Sequence, residues 1–245
     1  MTIIKQFFGH SGAIVNLVES DGSLMIEKSG TGIDRNHNRM LALHGKINQP
    51  NILNYDNNKL TMSYVPSMDM TQYLINENVK PFINFLQTAC TSLESNVYGI
   101  KDYLSVYEQR LSSAEWLPAP MGQIIDKLPR HLPQTDYHGD LTLNNILYDY
   151  NHGKFVFIDA MDTDLDSIYF DLGKLRQDLD CGWFIRNNNV LLNNRLIAIS
   201  NAMQEFPYYN NNAIAIVAIL RIWKYANTQD KEWLMNQIEK LWRNK

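Results

Sequence analysis

The stretch DYHGDLTLNNILYD, residues 136 to 149, sets a histidine, several aspartates and two adjacent asparagines around a single glycine, with Leu141, Leu143, Ile146 and Leu147 spaced between them. So many polar groups belong at a surface, and so many leucines and isoleucines belong in a core. Both demands are met by a loop whose apolar members anchor it onto a hydrophobic body. Its polar members are then held rigidly at an edge, the condition that preorganised chemistry needs. Within the stretch His138, Asp140 and Asn145 form the pattern His-x-Asp-x-x-x-x-Asn, and 14 residues beyond Asn145 the apolar run FVFIDAM, an expected strand, ends on Asp159.

These side chains suit phosphoryl transfer. One carboxylate orients a hydroxyl nucleophile and accepts its proton, while an amide and a second carboxylate hold the divalent metal that bridges the nucleotide phosphates. Asp140 is the candidate catalytic residue; Asn145 and Asp159 are the candidate metal ligands. A metal-dependent hydrolase using His138, Asp140 and Asp159 as ligands is a second use of the same residue types. The order of elements around the motif has to decide between them.

Toward the N-terminus the pattern is two-periodic. IIKQFF, AIVNLVE and LMIEK, separated by GHSG and SDGS, read as three strands of an antiparallel meander. Met40, Leu43 and Ile47 recur at helical spacing after Asp34, which predicts a helix over 34–47. QPNILNYDNNKLTMSYV returns to strands, with YDNNKL as a hairpin turn. Residues 1–65 are therefore expected to form a small sheet with one helix.

After Pro66 the composition shifts, and residues 66–245 are expected to be mainly helical. KPFINFLQTACTSLESN places Phe82, Phe85, Leu86, Ala89 and Leu93 on one helical face. Two closing helices carry Trp223, Trp233 and Trp242 on apolar faces, where tryptophan is more often core than ligand platform. A hydrolase explains no part of the first 65 residues, whereas the order meander, helix, strands, short apolar hinge, helices, loop and strand resembles that of kinase-like chains.

Composition narrows the function further. Among 245 residues, 22 Lys and Arg stand against 26 Asp and Glu, a formal charge of -4, which gives no electrostatic footprint for nucleic acid. Cys90 and Cys181 are too few for a disulfide framework or a structural zinc site and read as buried hydrophobes. The longest apolar run, AIAIVAIL, falls well short of the roughly 18 residues of a membrane span, so no membrane segment is expected. The opening MTIIKQFFGHSG does not read as a secretory signal, and the expected compartment is the cytoplasm.

HGDLTLNNIL and FIDAMD together resemble the catalytic loop and metal-binding segment of the kinase-like phosphotransferases, in the branch that holds aminoglycoside phosphotransferases and choline kinases. The match is tight over residues 136 to 175 and extends in architecture over nearly the whole chain. It implies an α+β, bilobal protein-kinase-like fold with a small antiparallel-sheet N-terminal lobe and a mainly helical C-terminal lobe. It also implies ATP and Mg2+ as cofactors and a small-molecule hydroxyl as acceptor. Protein kinases usually carry a lysine just after the catalytic aspartate, where this chain has Leu141 and Thr142. Asp171 follows Asp159 by only 12 residues, leaving no room for a long activation loop. A protein side chain as acceptor is disfavoured by both features. In the small-molecule branch a second aspartate braces the loop, a role that falls to Asp171, with His138 as a further brace.

For the nucleotide, Leu24, Ile26 and Lys28 share one face of a strand, so that Lys28 can reach phosphate oxygens and Ile26 can cover the base; a solvated strand-end lysine is the plainer alternative. The loop GHSG, with Gly9, Ser11 and Gly12, can cradle phosphates through backbone amides. MSYV resembles the hinge, where Met62 lies beside the base, the Ser63 carbonyl and Val65 amide pair with adenine, and Pro66 stiffens the exit. The helix over 34–47 contains no glutamate to pair with Lys28, which keeps a nucleotide-binding regulator without chemistry as the second functional reading.

The acceptor is less legible. Asp162, Asp164, Asp166, Asp171, Asp178 and Asp180 against Lys174 and Arg176 suggest an acidic rim for a cationic amino sugar or amino alcohol, or simply a solvated charged turn. Trp183, Phe184, Tyr208 and Tyr209 can stack on a ligand or belong to the core. YFDLGKL resembles a segment of phosphotransferases associated with bacterial surface-polysaccharide synthesis, which favours a sugar or polyol.

Overall fold

The computed structural model describes residues 2–8, 13–186, 192–223 and 225–243. In chain order its elements are β1 (Thr2–Phe8), β2 (Ile14–Ser20), β3 (Ser23–Ser29), α1 (Ile33–Ala42), β4 (Ile52–Asp56), β5 (Lys59–Ser63), β6 (Ser67–Asp69), α2 (Met70–Asn76), α3 (Val79–Ser95), β7 (Val97–Asp102), α4 (Leu104–Ser112), α5 (Met121–Ile125), β8 (His131–Thr135), β9 (Ile146–Asp149), β10 (Lys154–Phe157), α6 (Ile168–Leu179), α7 (Asn193–Met203), α8 (Asn212–Trp223) and α9 (Thr228–Arg243). They form two compact units, Met1–Tyr73 with Asn144–Thr163, and Leu74–Leu143 with Asp164–Lys245.

The first unit is built on an antiparallel sheet in the order β1-β2-β3-β5-β4. Its two tight hairpins follow from residues that accept a left-handed backbone: Asp21 and Gly22 close β2–β3, and Asn57 and Asn58 close β4–β5, all at positive φ. The register sets Ile26 opposite Met62 and Lys28 opposite Leu60. Val18, Leu60, Ile33 and Leu43 are almost wholly withdrawn from solvent. The helix expected over 34–47 is α1 and stops at Ala42. Leu43 keeps its buried place, but Gly45 at φ 76° turns the chain left-handed and ends the repeat. A second sheet in the order β10-β9-β6 also belongs to this unit, its aromatic contacts being Tyr73, Tyr148 and Phe155 at ring separations of 4.8 to 5.1 Å.

The second unit is mostly helical, with a β7–β8 ribbon. α3 buries Phe82, Leu86, Ala89, Cys90 and Leu93, the expected face, while Phe85 is half-buried. Ala215, Ile216, Ile219 and Trp223 of α8 pack with Leu234, Ile238 and Leu241 of α9 and with Cys181. Each fully buried aliphatic side chain of this kind contributes about 2 kcal/mol. Trp233 and Trp242 are partly buried against the same core. Both cysteines are buried and free. α6 is buried along its whole length, and it approaches α8 so closely at Gly173 that a β-carbon there would lie 2.8 Å from Ile214 Cγ2. Among the described residues no helix is long and apolar enough to cross a membrane.

Candidate active site

The loop that carries Asp140 is shaped by α6. Asp171 is almost fully buried, and its carboxylate accepts the backbone N–H groups of His138, Gly139 (2.9 Å) and Leu141 (3.3 Å). Nearly two turns further along the helix, Asp178 accepts the N–H of Leu143 at 2.7 Å. Between them Lys174 reaches Asp140, Nζ to Oδ1 at 3.1 Å. Positions 171, 174 and 178 recur at i, i+3 and i+7, so one face of α6 holds the loop at several points. Gly139, at φ 88°, makes the bend that lets consecutive N–H groups converge on Asp171. From α8, Arg221 donates to the Gly139 carbonyl at 2.8 Å. Leu141 and Leu143 have no solvent exposure, which reconciles the apolar and polar halves of the motif: the leucines are the anchors.

His138 is wholly buried, and its Nδ1 accepts the backbone N–H of Asp140 at 3.3 Å. This geometry makes it a brace for the loop. Burial pushes the Asp140 carboxyl up, but the charges of Lys174 and Arg221 and the hydrogen bond from Lys174 outweigh it and bring the group down to about 2. Burial likewise raises the Asp171 carboxyl, against the hydrogen bonds it accepts. Asp178 is pushed up to about 7 by burial, and its Oδ1 has no hydrogen-bond partner among the described residues.

In the first unit the β9–β10 hairpin sets the other two candidates together. Ile146 pairs with Phe157, and beyond that pair the Ile158 N–H donates to the Asn145 carbonyl at 2.9 Å. Asn145 and the Ile158–Asp159 step therefore lie at the same open end of the hairpin. The strand stops at Phe157, two residues before the expected end, because Asp159 turns left-handed at φ 60°, an unusual conformation for aspartate that persists where surroundings impose it. Those surroundings come from α1. The Asn36 amide donates to the Ala160 carbonyl at 2.8 Å, and the Arg35 carbonyl accepts the Asp162 N–H at 3.2 Å.

Lys28 has a partner that the sequence did not reveal. Its Nζ lies 3.0 Å from Asp159 Oδ1, and the lysine side chain is only 6% exposed, which excludes a solvated strand-end lysine. The helix without a glutamate thus leaves Lys28 paired all the same. α1 meets the 158–162 segment through a neutral amide, that of Asn36.

Ile26 is half-buried and faces Met62 across the sheet. The N–H and hydroxyl of Ser63 are both engaged with the backbone of Asn51, and the Val65 carbonyl accepts the Ser67 hydroxyl at 3.0 Å. Gly9, Ser11 and Gly12 lie outside the described residues. Among the described residues no three His, Cys, Asp or Glu side chains gather as an all-protein metal cage. Asn145 and Asp159 offer an amide and a carboxylate oxygen, hard oxygen donors of the kind that magnesium combines with phosphates and water.

The expected acidic rim is largely spoken for. Asp166 pairs with Lys101 at 2.6 Å and accepts from Tyr103 and Gln134, and Asp164 pairs with Arg110. Asp180 pairs with Arg176 at 2.7 Å, while Asp171 and Asp178 are consumed by the loop. Within the second unit Lys101, Arg110 and Arg176 thus neutralise Asp166, Asp164 and Asp180. Of the aromatics, Tyr209 is fully buried, Trp183 packs on Trp233, and Tyr208 meets the edge of Tyr169.

Residues 90–193, a span that contains the loop and α6, match the model of the phosphotransferase enzyme family. A comparison of the sequence with curated proteins finds no match. Among solved structures the chain is similar to a choline kinase, LicA, from Streptococcus pneumoniae, with TM-score 0.61 and 11% identity over 99% of this chain and 92% of that one. It is similar to a putative fructosamine-3-kinase from Haemophilus somnus 129PT, with TM-score 0.65 and 11% identity over 97% and 88%. A thermostable mutant of aminoglycoside phosphotransferase APH(4)-Ia, solved in ternary complex with AMP-PNP and hygromycin B, gives TM-score 0.61 and 11% identity over 98% and 92%. The fold is thus that of the kinase-like phosphotransferases, as the loop motif had implied.

Proposed function

We propose that the chain is an ATP-dependent phosphotransferase that moves the γ-phosphoryl group of ATP to a hydroxyl of a small molecule. The observation that carries this function is the hairpin geometry that sets Asn145 beside the Asp159 segment, with Lys28 paired to Asp159. Asp140, five residues before Asn145 in the chain, is the base. The acceptor oxygen bonds to the γ-phosphorus as the bond from that phosphorus to the β–γ bridging oxygen breaks. ADP leaves with the electron pair, and the hydroxyl proton passes to Asp140. Asn145 and Asp159 would hold magnesium, which supplies neutralisation of the phosphate oxygens when bound. Lys28 steadies those oxygens, Ile26 and Met62 cover the base, and the Ser63 carbonyl and Val65 amide pair with adenine. Gly9, Ser11 and Gly12 are proposed to line the phosphates.

The first unit is accordingly the nucleotide unit, and the second carries the base and the acceptor site. The acceptor is proposed as a sugar, amino sugar, polyol or amino alcohol. YFDLGKL favours a sugar or polyol, in bacterial surface-polysaccharide metabolism, and the neutralised aspartates remove the main argument for a cation. The regulator without chemistry was motivated by a lysine lacking an acidic partner; Asp159 supplies one. Asp140→Asn is expected to lower ADP release with a true acceptor by about 100- to 10,000-fold while Mg·ATP still binds in calorimetry. Acceptors are found by thermal shift with nucleotide bound, since a ligand of the folded state raises the melting temperature. Unchanged turnover in Asp140→Asn overturns the proposal, as does a wild-type chain that binds no Mg·ATP.

A further inference from the structure

The catalytic loop has no cation of its own beside Asp140, since Leu141 and Thr142 follow it. α6 brings one from outside. Lys174 Nζ lies 3.1 Å from Asp140 Oδ1, and the lysine side chain is 6% exposed. Withdrawing an ammonium from water costs several kcal/mol unless a charge faces it. A lysine in the middle of a helix buried along its length is therefore a specific device, and its recorded ion-pair partner is the candidate base. Arg221 also bears on Asp140 by its charge, while its hydrogen bond goes to the Gly139 carbonyl and shapes the loop.

We propose that Lys174 is the positioning residue of Asp140: it engages Oδ1 and fixes the plane of the carboxylate that accepts the acceptor's hydroxyl proton. This rests on the phosphotransferase function above and names the residue that prepares its base. The proton balance is unchanged, with one proton leaving the acceptor and residing on Asp140 as ADP departs.

The charged and titratable groups facing Asp140 are Lys174 from α6, Arg221 from α8 and the imidazole of His138 from the loop, with the acid Asp178 also on α6. Removing Lys174 leaves burial less opposed, so the Asp140 carboxyl rises and the ionised base is lost at higher pH than in the wild type. The test compares Lys174→Met, which keeps the length of the stem without its charge, with Lys174→Arg. The probe is Mg·ATP with water as acceptor, followed as ADP release across pH, together with calorimetric Mg·ATP affinity. A carbon-13 carboxyl titration, with Asp140 assigned by its loss in Asp140→Asn, reads the base directly.

In Lys174→Met, ADP release at neutral pH falls about 100-fold with Mg·ATP affinity unchanged, and the acid limb of the profile moves up by about one to three pH units. The titration of Asp140 moves with it, while the loss at neutral pH, where the carboxylate is ionised in both proteins, comes from its altered placement and persists as pH is raised. Lys174→Arg keeps the wild-type acid limb, because the charge remains, and loses rate through altered placement; it carries the test if the Met variant melts early. A Met variant whose pH profile and Asp140 titration match the wild type overturns the proposal, and so does a collapse of Mg·ATP affinity, which would put Lys174 on the nucleotide. Absence of ADP release from the wild type, or its persistence in Asp140→Asn, counts against the phosphotransferase function, while the carboxyl titration still decides the Lys174–Asp140 pair.

Discussion

Replacing Asp178 by Asn should make the second unit gain stability over the wild type as pH rises. Asp178 is fully buried and accepts the Leu143 N–H through Oδ2, and its Oδ1 has no hydrogen-bond partner among the described residues. Burial pushes its carboxyl from 3.8 to about 7. An unfolded chain releases this proton near pH 3.8, whereas the folded chain keeps it until about pH 7. Across that window the folded state holds one proton more, so stability present at the acid end is lost progressively as pH rises. At about 1.4 kcal/mol for each pH unit by which the titration is displaced, the loss is of order 4 kcal/mol. Asparagine keeps an oxygen for Leu143 and has no proton to release. The two proteins should therefore be equally stable near pH 4 and diverge toward pH 8, with Asp178→Asn ahead. All five tryptophans lie in the second unit, so urea unfolding followed by tryptophan fluorescence reports on it directly. Parallel pH curves for the two proteins would refute the assignment of a buried, protonated carboxyl.

Gly173→Ala should destabilise the protein by about 1 to 3 kcal/mol, since the added methyl meets Ile214 Cγ2 at 2.8 Å and the Ile214 carbonyl at 3.2 Å; at an open helix position the same change would stabilise by nearly 1 kcal/mol, so the sign of the shift in urea midpoint tests the contact. Asn36→Leu should cost about 1 to 3 kcal/mol by stranding the buried Ala160 carbonyl, and should weaken Mg·ATP binding in calorimetry by loosening the left-handed turn at Asp159. An affinity equal to that of the wild type would show that the turn holds itself.

Much of this was legible in sequence because it is local. Alternation marked β1 to β3, paired asparagines and Asp-Gly marked the hairpins, and the spacing of His138, Asp140, Asn145 and Asp159 marked the loop and its strand. What escaped was pairing across distance. Composition shifts once, after Pro66, yet the chain returns to the first unit at 144–163 because β6 pairs with β9, and strand partners are not written in periodicity. Lys28 seemed unpartnered because its acid lies 131 residues away. The aspartates of 162–180 read as a rim because Lys101, Arg110 and Gln134, which neutralise or bind them, come from earlier segments. Lys174 and Asp178 had a signal that went unused: with Asp171 they keep helical phase.

That phase has a consequence for what the protein can tolerate. Adding or deleting one residue within α6 between Asp171 and Asp178 would swing the two ends of the run about 100° out of alignment, releasing Leu143 or the His138–Gly139 bend. The same slip would carry Gly173 away from Ile214 and drive a larger side chain into α8. Length variation in this helix should therefore abolish folding and chemistry in a single stroke.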